Sequence, residues 1–309
     1  MTTRLSVVTT SLNAMPYIRD TVHSVLAPSA GDIEYIIIDA GSTDGTLEFL
    51  RSIADDRLRV RVVDGIGQYD AISLGFSESA GDVLAWINAD DLYFAWTVPT
   101  VSGVFRSLPD VRWLTGLPAF VSGAGEGLRI GSVVPAYPRK LIESGWYRDE
   151  LLGSLQQEGM FWRRDLWEET GGFSLGLEWA ADFDLWTRFA RVSDLTTATV
   201  PLGCFRVRGG LQRSVSGHSL YCAEIEQVVA RFPKPNALVA MICGLGTLPR
   251  CAARLVMHGS SPYVNYSKQA GRWHRALSMR PISRYSLPQL RMEAASRNYW
   301  HQPRAVLPR

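Results

Sequence analysis

Apolar and polar positions over the first ninety residues alternate between strand-like and helix-like segments. Leu5-Ser-Val-Val-Thr-Thr10 is a short β-branched run closed by the polar break Ser11-Leu-Asn13. Pro16 then suits the first turn of a helix in which Ile18, Val22, Val25 and Leu26 recur at helical spacing. The segment from Ile33 to Ile38 is nearly all apolar, as a parallel strand buried on both faces should be, and it stops at Asp39-Ala-Gly-Ser-Thr-Asp-Gly-Thr46. Leu47, Leu50 and Ile53 resume a helical stripe; Val60 to Val63 reads as a third strand and Tyr69 to Ser79 as a third helix ended near Gly81. Val83 to Ile87 is a fourth strand, halting at Asn88-Ala-Asp-Asp91. The alternation predicts an α/β chain with a Rossmann-like, mostly parallel sheet flanked by helices, a class that binds ligands beyond the carboxyl ends of its strands. Three polar clusters sit at those ends: Thr10 to Asn13, Asp39 to Thr46, and Asn88 to Asp91.

Each cluster has a chemical reading and a structural one. Asn88-Ala89-Asp90-Asp91 places oxygen ligands on a turn after a buried strand, where a hard divalent cation could be completed by water and phosphate; a turn held by local Asn and Asp hydrogen bonds is the alternative. The cluster at 39–46 has neither the Gly-Lys-Ser/Thr ending of a Walker loop nor the Gly-x-Gly-x-x-Gly dinucleotide pattern. Asp39 could accept hydrogen bonds from a base or ribose, or serve the turn, while Ser42, Thr43 and Asp44 suit a helix cap. Further on, Gln157-Glu-Gly-Met-Phe-Trp-Arg-Arg164 precedes a Gly171-Gly172 turn, and Trp179 to Phe189 reads as a helix with Leu185, Trp186 and Phe189 on one apolar side. Asp182 in its first turn is either a carboxylate favoured by the helix dipole or a general base beside a substrate hydroxyl.

Composition narrows the class. With 46% hydrophobic and 20% charged residues among 309, the chain is globular, long enough for one large domain or two modest ones. Its four cysteines, Cys204, Cys222, Cys243 and Cys251, show no zinc-type spacing and read as reduced, buried thiols. The start runs into a strand-like segment without a charged-then-apolar leader, so the expectation is a protein without a cleaved export signal, in the cytoplasm. The formal charge of +2 conceals an asymmetry: residues 250–309 hold eleven Lys/Arg against Glu293 alone, a net +10, leaving −8 on residues 1–249. Arginines mixed with Tyr263, Tyr266, Trp273, Tyr285, Tyr299 and Trp300 suit anionic headgroups or lipid-linked phosphate; no motif supports nucleic acid. Ala237 to Leu248 is apolar but 12 residues long, too short to span a bilayer, so it lies against the core or in a membrane interface.

Taken in order, Ser6-Val-Val-Thr-Thr-Ser-Leu-Asn13, Asp39 to Thr46, Gln68-Tyr-Asp-Ala-Ile72, Trp86-Ile-Asn-Ala-Asp-Asp91 and Trp179 to Arg188 resemble the family-2 glycosyltransferases of GT-A fold, over about residues 4–215. The resemblance implies inverting transfer from a nucleotide-diphosphate sugar, with Mn²⁺ or Mg²⁺ neutralising the leaving group and an acceptor hydroxyl attacking the anomeric carbon. By position it puts Thr10, Asn13, Asp39 and Ser42 around the nucleotide and Tyr69 and Asp70 near the donor. It makes Asn88, Ala89, Asp90 and Asp91 the metal motif with Asp90 as the ligand, and Asp182 the catalytic base. Arg206 and Arg208 either reach the diphosphate or are surface arginines. The sequence departs from the common pattern at Asn88 and Ala181, where acids are frequent, at Ala40, and at Leu74, often Lys; fewer carboxylates predict weaker metal binding.

The expectation is a catalytic GT-A domain at 1–215 followed by a basic, mainly helical extension at 216–309. The enzyme would act in assembly of a surface polysaccharide or glycolipid on a glycan or lipid-linked acceptor, in the cytoplasm or peripherally on the inner face of the plasma membrane. The alternative is a catalytically inactive sugar-nucleotide-binding subunit of a glycan-assembly complex. A sugar-nucleotide pyrophosphorylase is disfavoured because its Gly-rich, Arg- and Lys-bearing N-terminal loop is missing.

Overall fold

The structure, a computed structural model, describes residues 3–27, 32–148, 151–208, 212, 216–232 and 258–281. The first half follows the alternation read from the sequence: β1 (Leu5–Ser11), α1 (Tyr17–Val25), β2 (Ile33–Asp39), α2 (Thr46–Arg51), β3 (Leu58–Val62), α3 (Gln68–Ser77) and β4 (Val83–Trp86). Then come β5 (Leu92–Tyr93), α4 (Thr97–Ser107), β6 (Trp113–Thr115), β7 (Ala119–Ser122), β8 (Arg129–Ile130) and α5 (Arg139–Glu143). A single 3₁₀ turn (Gln157–Gly159) leads into β9 (Phe161–Arg163), α6 (Arg164–Thr170), α7 (Ala181–Val192), β10 (Leu195–Ala198), β11 (Gly203–Val207) and α8 (His218–Val229). The hairpin β12 (His258–Ser267) and β13 (Arg272–Pro281) follows.

A nine-stranded sheet runs in the order β13-β12-β10-β6-β9-β4-β1-β2-β3, and β5-β11-β7-β8 form a smaller one. In the large sheet β1 is parallel to both β2 and β4, β2 to β3, and β10 to β6 and β12, whereas β9 is antiparallel to β4 and β6. Every residue of β2 is buried, as its unbroken apolar run requires, because alternate side chains feed two layers. Tyr35 and Ile37 pack with Ile18, Val22 and Phe49 of α1 and α2 on one face; Ile36 and Ile38 pack with Ile72 and Phe76 of α3 on the other. The second layer is aromatic: Trp186 stacks between Trp86 (5.5 Å) and Trp113 (5.4 Å). At β3 the exposed Arg59 and Arg61 lie on the sheet's edge, where charge discourages further strand pairing.

The C-terminal region differs from the helical extension expected. Within it α8 is a helix, but residues 258–281 form a ten-pair antiparallel hairpin whose β12 joins β10 in the main sheet. Arg275, Leu277 and Met279 are exposed while Ala276, Ser278 and Arg280 are half-buried, the two-residue period of a pleated strand rather than a helical stripe. Trp273 is seated on Gly103 of α4, where a Cβ would come within 2.8 Å of its Nε1. Cys204 is buried, and Cys222 is half-buried with its Sγ 3.6 Å from His218 Nε2. Cys243, Cys251, the apolar segment 237–248 and most of the basic stretch lie outside the described residues.

Candidate functional site

Beyond the carboxyl ends of β1, β2 and β4 lies a cavity of about 410 Å³. Thr10, Asn13, Tyr69, Asn88, Ala89, Asp90, Asp182 and Arg208 line it, together with Gln157, Glu158, Trp179, His218 and Tyr221. Asp39, Ser42, Asp70, Asp91 and Arg206 do not line it.

The residues off the wall shape the loops that are on it. Asp39 is fully buried; its Oδ2 accepts from the hydroxyls of Ser11 (2.6 Å) and Ser42 (2.7 Å), and its Oδ1 from the backbone N–H groups of Gly41 (3.0 Å) and Ser42 (2.7 Å). Ser42 Oγ in turn accepts from the Asn13 N–H, and Asn13 Oδ1 accepts from the Thr43 N–H. Asn13 itself sits at φ 50°, in the left-handed region that Asn tolerates better than most residues, so one carboxylate ties the ends of β1 and β2 together. Asp70 is exposed, in the first turn of α3.

Around the 88–91 turn, Asp91 points inward and is fully buried, accepting from the Arg206 N–H (2.9 Å) and Asn88 Nδ2 (3.0 Å). Burial, with Asp90 and Glu158 adding like charge, raises its pKa well above that of an ordinary carboxyl. Arg206, 1% exposed, donates to Asp90 O, Gly123 O and Asp20 Oδ2; it clamps the turn from behind and does not reach the cavity. Asn88 Nδ2 also donates to Gln157 Oε1 (3.2 Å), and Asn88 Oδ1 accepts from Gln68 Nε2. A carboxylate at 88 would set an acceptor against Asp91 Oδ2 and Gln157 Oε1, the two atoms to which Asn88 Nδ2 donates, which gives a physical reason for Asn there. Asp90 faces the cavity and pairs with Arg208 at 2.7 Å, while the Arg208 guanidinium lies over the Tyr17 ring at 4.7 Å.

Asp182 stands in the first turn of α7, where its Oδ1 accepts from the Phe183 N–H (2.8 Å) and the Tyr69 hydroxyl (3.3 Å). Burial pushes its pKa up to about 6; the two hydrogen bonds pull it down and Glu224 pushes it further up. Glu224, from α8, accepts from the N–H groups of Glu178, Trp179 and Ala180 and so fixes the approach to α7.

Gln157, Glu158, His218, Tyr221 and Glu224 belong to none of the motifs in the sequence that point to the site. Two adjacent polar residues ahead of an apolar strand were the one signal for Gln157 and Glu158. Glu158 is 3% exposed, and burial, with the charge of Asp90 added, pushes its pKa up to about 8.

For a divalent cation, the 88–91 turn presents one carboxylate to the cavity, that of Asp90. Among the described residues no group of three His, Cys, Asp or Glu side chains is placed to hold a metal ion. The residues therefore fit an ion held by Asp90 and otherwise by phosphate oxygens and water, the habit of Mg²⁺, and it would have to displace Arg208 from Asp90.

Comparison with known proteins agrees with this geometry. The description "Glycosyl transferase family 2" matches residues 6–105. A putative teichuronic acid biosynthesis glycosyltransferase, TuaG of Bacillus subtilis, is 39% identical over 90 residues, 28% of this chain and 36% of that protein. An uncharacterized glycosyltransferase of Nostoc is 30% identical over 107 residues, 34% of this chain and 33% of that one, so the chain spans about a third of these relatives. An uncharacterized glycosyltransferase of Mycobacterium tuberculosis is 27% identical over 212 residues, 66% of this chain and 76% of that protein. The structure of S. aureus TarS 1-349 in complex with UDP-GlcNAc superposes with a TM-score of 0.57 at 14% identity, covering 78% of this chain and 70% of TarS, a likeness of fold. Among the described residues no helix is long and apolar enough to cross a membrane. The resemblance to the GT-A family-2 glycosyltransferases read from the motifs therefore holds, and residues 6–105, from β1 through the Asn88–Asp91 turn to α4, are the part of the chain that matches glycosyl transferase family 2.

Proposed function

We propose that the chain is an inverting glycosyltransferase that moves a sugar from a nucleotide-diphosphate sugar to an acceptor hydroxyl in surface polysaccharide or glycolipid assembly. One observation carries the reading: Asp90 and Asp182, from segments far apart in the chain, stand on the wall of the same cavity at the carboxyl ends of the parallel strands. That TarS was solved with UDP-GlcNAc, and that TuaG is assigned to teichuronic acid biosynthesis, supports a UDP-sugar donor and an envelope glycan as the first candidates.

In this mechanism Thr10 and Asn13 bound the nucleotide end, and Arg208 offers its guanidinium to the diphosphate. Asp90 would hold Mn²⁺ or Mg²⁺, which supplies charge neutralisation for the departing diphosphate. The acceptor oxygen attacks the anomeric carbon as the bond from that carbon to the diphosphate oxygen breaks. Both electrons of the broken bond leave with the nucleoside diphosphate, and Asp182 takes the hydroxyl proton. With a pKa of about 6, Asp182 is about nine-tenths ionised at pH 7 and close enough to that pH to be an effective base. The Tyr69 hydroxyl shares its one proton between Trp179 O (2.9 Å) and Asp182 Oδ1 (3.3 Å), which ties the base to the backbone ahead of α7.

A panel of nucleotide sugars, with Mn²⁺ or Mg²⁺ present, tests the reading by binding and by release of nucleoside diphosphate. Transfer or donor hydrolysis supports it, and donor binding without any turnover favours the inactive binding subunit. The Asp90–Arg208 pair is the observation on the side of that second reading, because it occupies the carboxylate a metal would need. As to location, the cytoplasmic face of a membrane suits the basic stretch 250–309 and a lipid-linked acceptor. Within it Lys268 and Arg272 are exposed at the hairpin turn, whereas Arg275 pairs with Asp110 and Asp194. Co-sedimentation with anionic but not neutral vesicles, lost as salt rises, supports that placement; absence of binding to both removes it.

A further inference from the structure

Of the acids that line the cavity, Asp90, Asp182 and Glu158, the last has no part in the mechanism above. It sits on the 3₁₀ turn Gln157–Gly159, is 3% exposed, and its Oε1 has no hydrogen-bond partner among the described residues. A buried oxygen left unpaired is costly, and proteins seldom keep one without a use for it. Its backbone is held tightly: Gly203 of β11 packs so closely that a Cβ there would come within 2.2 Å of the Glu158 carbonyl oxygen. Gln157, the residue before it, accepts from Asn88 Nδ2 and so belongs to the turn that carries Asp90. Leu155, three residues before it, shares the lining of a small recess with Asp182. Glu158 thus lines the same cavity as Asp90 and Asp182, on a segment tied to the Asp90 turn, and the transferred sugar must sit in that cavity.

We propose that Glu158 hydrogen-bonds a hydroxyl of the transferred sugar and so helps decide which sugar the cavity accepts. The proposal rests on the reading of the cavity as a nucleotide-sugar site. A pyranose hydroxyl can donate to the free Oε1, and a sugar with that hydroxyl absent or epimerised would leave the oxygen buried and unpaired. This is the kind of mismatch by which a polar site rejects a near-isostere. The nucleoside diphosphate alone would not make the contact, so Glu158 should affect only the sugar's share of the binding.

Isothermal titration of the full chain in Mg²⁺ tests this, with UDP, GDP and dTDP against UDP-glucose, UDP-galactose, UDP-N-acetylglucosamine and GDP-mannose. The native protein, Glu158→Gln and Glu158→Leu are compared by the ratio of affinity for the preferred sugar nucleotide to that for its nucleoside diphosphate. In Glu158→Leu the ratio should fall about tenfold, the loss of one hydrogen bond, with the nucleoside diphosphate bound as before and the preference between sugars reduced. Glu158→Gln, which keeps an oxygen in place, should retain most of the ratio. An unchanged ratio in Glu158→Leu overturns the proposal and leaves Glu158 a structural carboxyl, for instance one sharing a water with the buried and also unpartnered Tyr93 hydroxyl. An equal loss of both affinities overturns it in favour of a cation-binding or folding role. Should the native protein bind none of these probes, the nucleotide-sugar reading itself fails, and the proposal with it.

Discussion

Replacing Asp182 by Asn removes one proton acceptor and almost nothing else. The side chains are nearly isosteric, so the contacts from Tyr69 and the Phe183 N–H can be retained at Oδ1. Lost general-base catalysis should lower turnover by roughly 10²–10⁴-fold, with donor affinity little changed. The pH profile makes the assignment sharper. Burial lifts Asp182 from 3.8 to about 6, so its ionised fraction rises from about one-tenth at pH 5 to about nine-tenths at pH 7. The activity of the native protein should therefore climb about tenfold over that interval, whereas a carboxyl left at its ordinary value would be ionised throughout it. Tyr69→Phe deletes a hydrogen bond that favours the charged form and should move the midpoint up; Glu224→Gln deletes a like charge and should move it down. Initial rates of nucleoside diphosphate release, taken as kcat/KM across pH 4.5 to 8.5, read all of these. A flat native profile between pH 5 and 7, or equal losses of donor affinity and turnover in Asp182→Asn, would refute the assignment.

If Asp90 is the cation ligand, Asp90→Asn should abolish Mn²⁺ binding measured by electron paramagnetic resonance, and chelation should stop transfer by the native protein. Arg208→Gln should instead tighten Mn²⁺ binding several-fold without donor, since it frees the Asp90 carboxylate; an unchanged affinity in both variants removes the ion from this turn. Glu158, raised from 4.5 to about 8 in the folded state, keeps its proton there after the unfolded chain has released it. Stability should therefore fall as pH rises between those values, by at most about 1.4 kcal/mol per pH unit, and level off above. Glu158→Gln should lack that slope in thermal melts from pH 5 to 9, and parallel curves for the two proteins refute the shift. Gly203→Ala would force a methyl into the backbone of Glu158 and should destabilise the fold by about 1–3 kcal/mol or more, read as a lowered denaturant midpoint; an unchanged midpoint shows that β11 can yield.

The local pattern of the chain determined the elements of the first ninety residues, because a strand buried on both faces must be apolar throughout and a helix laid against it must repeat near 3.6. Ile33 to Ile38 and the Ile18, Val22, Val25 stripe leave little else possible. The same logic put Thr10, Asn13, Asn88 and Asp90 at strand ends, where an open parallel sheet exposes them to a ligand. Which way each polar side chain turns was decided only in three dimensions. Asp90 and Asp91 are chemically identical neighbours, yet one faces the cavity and the other is buried against the Arg206 N–H, since successive residues of a tight turn cannot point the same way. Asp39, Ser42 and Arg206 are drawn into the loops behind the wall by partners distant in sequence: Ser11 for the first, Asn13 for the second, and Asp20 and Gly123 for the third. Glu158 and Glu224 gain their roles in the same way, from neighbours such as Asp90 and Trp179 that only the packed chain supplies. The β12–β13 hairpin shows the converse: a two-residue alternation was present in residues 275–280, but a two-stranded hairpin gains its stability from the sheet it joins. Its place depended on β10 and on the Gly103 gap in α4 that receives Trp273.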